Sequence, residues 1–359
     1  MRFGVWCLVV SAILAAPLRA PAEEIVRPVS STPTDPTEFG SLRLEPFESV
    51  APPEGVWAIL VTASYFNQWD GTWHTRRAHE DFGRRGEPIV DEELHALERA
   101  FPQDDIYRFD VEGTRFDLLL ARGFRNGVSV QARVPWIEIG RPRWDGAAEA
   151  FHAVFPVVDH YARDLFPRGQ TFLYLRAGGR SLVRRDELAR SGIGDVALSV
   201  GIPMHRTARS AQRLAVTIEL PTGNGDSLHG SGGWDAGARW FYTRQGKRNH
   251  LLVGAGYTHQ DRRGSFLGFE RADTSHLTVD LLRPLTPRTT LHLGGRVDGS
   301  PLAGLTNLNV SRPAFFYKIG AQWDVGHDQW VAVDIGEEIA PQVGLDVDFS
   351  LHLSWGYHP

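Results

Sequence analysis

DVDFSLHLSWGY, residues 346–357, alternates with a period of two. Val347, Phe349, Leu351, Leu353, Trp355 and Tyr357 share one face, and Asp346, Asp348, Ser350, His352, Ser354 and Gly356 share the other. Successive side chains of a strand point to opposite faces, so the stretch reads as a strand with an oily side and a polar side. Alternation alone leaves open whether the oily side meets a protein core or lipid.

The same pattern recurs upstream. Leu291, Leu293 and Val297 alternate with His292, Gly294, Arg296 and Asp298, and Val331, Val333 and Ile335 with Ala332, Asp334 and Gly336. Leu214, Val216, Ile218 and Leu220 alternate with Arg213, Ala215, Thr217 and Glu219. Alternation and turn residues mark about 12 strands: 57–69, 106–122, 127–139, 192–204, 213–221, 235–244, 250–260, 275–284, 289–298, 314–324, 329–338 and 345–357. Every second connection is brief, at 123–126, 205–212, 245–249, 284–288 and 325–328. The intervening ones at 70–105, 140–191, 222–234, 261–274 and 299–313 are longer, and 339–344 is the exception. Turns at one end, loops at the other and an even strand count predict an all-β fold, a transmembrane antiparallel β-barrel with short helices in its extracellular loops.

The totals agree. A chain of 359 residues, 42% hydrophobic, with no late apolar run of about 20 residues, does not cross a membrane by helices. A net charge of −5 gives no electrostatic case for nucleic acid. Met1 and Arg2 precede the apolar run Phe3 to Ala16 and the small residues Ala20-Pro21-Ala22, the order of a secretory signal, so residues 1–22 are assigned as a signal peptide. The single cysteine, Cys7, lies within it, which excludes disulfides and thiolate sites from the mature chain. Residues 23–55, rich in Pro, Ser, Thr and Glu, are expected to form a flexible periplasmic tail, and 56–359 the barrel.

Hydrocarbon offers no hydrogen-bond partner, so a sheet crosses it only when every edge is paired. The oily faces then meet lipid and the polar faces the lumen. The candidate lumen-lining residues are Arg115, Asp117, Arg133, Glu219, Arg239, His276, Asp280, His292, Arg296, Lys318, Asp334, Glu338 and His352. Trp57, Trp323, Trp330, Trp355 and Tyr357 are expected at the periplasmic rim as half of an aromatic girdle.

The glycine-rich stretch TGNGDSLHGSGGWDAGARW, residues 222–240, fails as a phosphate cradle. Gly225 and Gly230 have P-loop spacing, but Ser231 stands where the lysine belongs, and the segment after it alternates as a strand. SGIGDVALSVGIPM at 191–204, followed by LAVTIELPTGNGDSLHGSGGWDAGARW at 214–240, resembles a domain-of-unknown-function family of uncharacterised bacterial outer-membrane β-barrels. LRLEPF at 42–47 and EAFHAVFPVVDHYARDLFPRGQT at 149–171 add to the likeness. The resemblance implies a signal peptide, a barrel and an outer-membrane address; it carries no catalytic residues or substrate.

Two loop segments read as amphipathic helix: Phe151, Phe155, Val158, Ala162 and Leu165, and Val90, Leu94, Leu97 and Phe101. Ser350, His352 and Asp348 are the nearest set for a lipase-like hydrolase, but i and i+2 side chains of a strand lie too far apart for direct proton transfer. His74, His79 and Glu80 match no metal signature. The reading is thus a passive or selective pore, or a scaffold, with no catalytic, metal or cofactor site assigned. Its partners are membrane lipid, periplasmic chaperones and the outer-membrane assembly machinery, with no nucleic acid. A barrel-borne hydrolase and a secreted soluble β protein are the rival classes.

Overall fold

The structure, a computed structural model, describes residues 51–83, 87–140, 171–185, 190–338 and 349–357, with the single residues 42, 146 and 188. In chain order its strands are β1 (Trp57–Gly71), β2 (Ile106–Gly123), β3 (Ser129–Gly140), β4 (Phe172–Ala177), β5 (Arg180–Arg184), β6 (Ser191–Ile193), β7 (Val196–Arg206), β8 (Ser210–Leu220), β9 (Asp235–Gln245), β10 (His250–His259), β11 (Ser265–Phe266), β12 (Phe269–Glu270), β13 (Thr274–Thr286), β14 (Thr289–Asp298), β15 (Ala314–Gly326), β16 (Gln329–Glu338) and β17 (Phe349–Tyr357). Helices α1 (Trp73–Asp81) and α2 (Asp91–Ala100) lie between β1 and β2.

Leaving out β4 to β6, β11 and β12, the strands form a closed antiparallel ring of 12. The first strand meets the last in register from Ile59 opposite Tyr357 to Asn67 opposite Phe349, so the wall has no open edge there. All 12 expected strands are present. Two of the five short turns use positive φ: Asn126 and Gly127 between β2 and β3, His327 and Asp328 between β15 and β16. Both central residues of the latter turn have φ above +50°, the backbone twist that matches two neighbouring strands.

The distribution of side chains is inverted relative to a water-soluble protein. On β13, Leu277, Val279 and Leu281 are exposed while His276, Thr278 and Asp280 are buried; on β14, Leu293 is 55% exposed and its neighbour His292 3%. Asp334 is fully buried, and Ile319 on the next strand is 57% exposed. A soluble sandwich built from these strands would do the reverse, because exposing so broad an apolar belt to water is costly. In hydrocarbon that cost vanishes, and the inner wall instead must satisfy its polar groups.

One residue of the expected girdle departs from it. Trp57, Trp323 and Trp355 are exposed on the outer wall, but Trp330 is 2% exposed and points inward. It packs with Ala58, Leu60, Leu119, Ala121 and Ala332 at the short-turn end of the interior. The alternation that sends Asp334 inward sends Trp330 inward too. Room for the indole comes from Gly356, where a Cβ would lie 2.3 Å from the ring.

Above the ring, β1 and β2 continue as a hairpin. Ile106 to Asp110 of β2 pair with β4, which pairs with β5, a two-stranded addition within the expected loop 140–191. Helix α2 realises the amphipathic segment around Leu94 and Leu97. It packs, with Ala78 of α1, against Ile106, Phe172 and Tyr174, on the side of this hairpin away from the cap described below. The helical segment expected at 151–165 lies outside the described residues.

Candidate functional site

Twelve of the thirteen expected lumen residues are buried, and Asp117 is half-buried. Each sits on the face of its strand opposite the exposed apolar residues. They engage one another in mixed-sign pairs. Arg115 donates from Nε and one Nη to both carboxylate oxygens of Asp117, at 2.8 and 2.9 Å. Arg133 lies 4.0 Å from Asp117 and 3.7 Å from Glu219, linking β2, β3 and β8. Lys318 Nζ is 3.0 Å from Asp280, and His292 Nδ1 is 3.2 Å from Asp334. Arg296 pairs with Asp298, Arg239 bonds Thr278, and His352 Nδ1 is 2.8 Å from Ser64 Oγ. His276 and Glu338 are buried on the same face. These pairs run along one strand, to the adjacent strand or across an intervening one, and so cross-link the inner wall.

The candidate hydrolase set is not assembled. Ser350 Oγ donates to the Gly336 carbonyl at 2.9 Å, His352 faces Ser64, and Asp348 lies outside the described residues. Of the loop residues considered for metal, His74 is 3.0 Å from Asp104, and the His79 side chain lies outside the described residues.

The mouth at the long-loop end is filled by residues that strand patterns do not announce. Phe66, Tyr107, Phe109, Val111, Ile137 and Ile139 make an apolar inner wall there. Against it pack Leu228 from the loop 221–234, Phe266, Leu267 and Phe269 from the β11–β12 hairpin, and Leu302 and Val310 from the loop 299–313. The three loops share one hydrophobic core and together cap the barrel. A fully buried aliphatic or aromatic side chain contributes about 1.5–3 kcal/mol relative to an exposed one, so this shared core holds the three loops on the inner wall.

The glycine-rich stretch is its fastening. The Asp195 carboxylate accepts the backbone N–H of Gly223 at 2.7 Å and of Ser231 at 2.6 Å. The amides a phosphate would need are thereby spent on a carboxylate of the protein itself. Gly223 and Gly230 are obligatory: a Cβ on either would lie 2.1 Å from the His229 carbonyl or 2.5 Å from Asp195. Ser227 Oγ bonds His229 Nδ1 at 2.7 Å, and burial holds that imidazole below the usual histidine range.

A second fastening joins the next loop. Arg271 donates to both oxygens of Asp235 at 2.7 and 2.9 Å, with both side chains fully buried. The Asp261 N–H also bonds Asp235, at 2.9 Å. The Arg263 and Trp234 amides in turn hold the Asp261 carboxyl below the usual carboxylate range. Sequence reasoning missed Arg271 because it sits between strands, with no periodic neighbour to mark it.

Leu42 is also inside the barrel. It is 3% exposed, packs on Ala197 and accepts a hydrogen bond from Thr258 at 3.5 Å, and both of those residues belong to the inner wall. At the other end of the barrel, Glu54 bridges to Gly123, the last residue of β2.

A family model described as protein of unknown function (DUF3187) matches residues 96–358. No curated protein matches the chain. The COG4313 outer membrane channel from Pseudomonas putida F1 is similar with a TM-score of 0.56 and 13% identity, over 88% of this chain and 99% of that one. A Pseudomonas aeruginosa FadL homologue aligns over 92% of this chain and 99% of its own at 12% identity, with a TM-score of 0.38. The translocator domain of autotransporter NalP from Neisseria meningitidis aligns over 84% and 88% at 11% identity, with a TM-score of 0.41.

Proposed function

The chain belongs to the DUF3187 family and is a β-barrel of the bacterial outer membrane, and on that footing we propose that it is a narrow channel closed at its outer mouth by the loop cap. One observation carries this reading: a polar, charge-paired interior lies beneath an apolar cap that three loops pack onto the inner wall. A barrel that served only as an anchor would have no use for three loops packed over its mouth. About 12 strands enclose a much smaller interior than the 16 to 18 of aqueous porins, and Trp330 and Leu42 reduce it further. Passage is therefore restricted to small solutes, and the thirteen inward residues are its lining. The balance of signs gives no strong preference between anions and cations.

In this reading residues 1–22 direct export and are removed. Residues 23–55 form the N-terminal tail, of which Leu42 lies against the inner wall and Glu54 bridges to Gly123. Periplasmic chaperones and the outer-membrane assembly machinery deliver the chain.

Planar-bilayer recordings test the proposal. The wild-type protein is expected to give small, infrequent conductance steps. A variant with Phe266→Ser and Leu302→Ser, which strips the cap core and leaves every ring strand intact, is expected to raise both their size and their frequency several-fold. Silent bilayers with both proteins would overturn the channel reading and favour a scaffold, for which the closely paired interior charges would then be filling.

A further inference from the structure

We infer that the periplasmic rim is a docking surface for anionic phospholipid headgroups of the inner leaflet. The turns between β7 and β8, β9 and β10, and β13 and β14 are neighbours around the ring. They carry six exposed arginines, Arg206, Arg209, Arg244, Arg248, Arg283 and Arg288. No Asp or Glu lies within 203–212, 243–250 or 283–290. Among the described residues none of the six has a carboxylate partner, unlike Arg125 on the preceding turn, which pairs with Glu54 at 3.2 Å. The chain as a whole is acidic, with a net charge of −5, so a cationic arc of this density is a local feature.

Position identifies the partner. On the outer wall the arginines lie at the turn-side edge of the apolar belt. Trp240 and Tyr242 stack, at 6.2 Å between centroids, immediately before Arg244 on the same face of β9. On β13 the exposed Leu281 and Leu285 flank Arg283, and Met204 precedes Arg206. Aromatic rings followed by cations mark the headgroup level of a bilayer. A guanidinium there presents a planar fork that fits a phosphate diester. Zwitterionic lipids offer the same phosphate but cancel its charge, so the arc discriminates for a net-negative headgroup such as phosphatidylglycerol.

The full chain, reconstituted at low salt in phosphatidylcholine with spin-labelled phosphatidylglycerol or spin-labelled phosphatidylcholine as probe, gives the relative affinity of its lipid annulus. A preference of about fivefold for phosphatidylglycerol is expected, the factor that one surface arginine contributes against an anionic leaflet. It should fall to near one when all six arginines are changed to glutamine, and persist in R262Q/R263Q, which removes exposed charges from the opposite end. Heat-dependent gel mobility reports folding; if the sixfold variant fails to fold, the three paired variants should each lose part of the preference. A ratio near one for the wild type overturns the inference, as does a preference lost in R262Q/R263Q and kept in the sixfold variant. A ratio near one together with capture of an acidic periplasmic protein by the same turns would replace lipid with protein as the partner.

Discussion

Arg271→Leu is expected to release the outer cap while leaving the barrel folded. The substitution strands Asp235, whose side chain is fully buried, without its cation. Removing one partner of a buried pair costs about 3–5 kcal/mol, because the remaining charge keeps its desolvation penalty. The backbone N–H of Asp261 still reaches Asp235 and offsets a small part of this. The loss falls on the loop 260–273, where Phe266, Leu267 and Phe269 are anchored, and not on the ring, whose strands are each paired on both sides. Hydrogen exchange should therefore accelerate on the order of a hundredfold or more in residues 260–273, with β13 and β14 unchanged. Changing Asp235 to Leu as well should recover part of the protection, since the stranded charge is gone. Uniform acceleration across the ring strands would mean that the pair supports the barrel and not the cap.

Ile319→Arg is expected to destabilise the barrel by about 2–4 kcal/mol, the cost of a cation on the lipid face near the bilayer midplane. Ile319 lies mid-strand on β15 and is 57% exposed. By the rules of a water-soluble surface this would be among the mildest substitutions available, and a polar replacement there would even improve solubility. The two environments thus give opposite signs for one change. Reversible denaturant unfolding in liposomes, compared with Ile319→Ala, measures it; a shift within about 0.5 kcal/mol of zero, the usual effect of a surface change in water, would contradict a lipid-facing β15.

The strands were legible because a barrel wall obeys one rule along its whole length: alternate residues meet chemically opposite media. That rule placed all 12 ring strands and sorted the connections into turns and loops. Trp330 shows where a second rule misled. Tryptophan is enriched at bilayer interfaces, but its parity on β16 is that of Asp334, and parity wins because neighbouring Cβ atoms cannot share a face. The β4–β5 hairpin is marked in the sequence by the pair Gly178-Gly179, with φ of +56° and +77°, between two apolar runs. The cap has no such mark. Leu228, Phe266 and Leu302 lie in three separate loops with no periodic pattern around them, and only closure of the ring brings those loops over one mouth. The family motif around Asp195 and Gly230 was visible, yet its purpose depends on a contact between segments 36 residues apart.

All of this rests on lipid, not protein, covering the oily sides of the strands. The mature chain has no cysteine of its own if cleavage follows Ala22, so single cysteines can be introduced along β17 at Leu351, His352, Leu353, Ser354 and Trp355 and spin-labelled in liposomes. Collision with oxygen, which concentrates in hydrocarbon, is expected to be high at 351, 353 and 355 and low at 352 and 354. Low oxygen accessibility at the odd positions, with a water-soluble nickel chelate reaching the even ones from outside, would place the oily faces in a protein core and contradict the barrel's address.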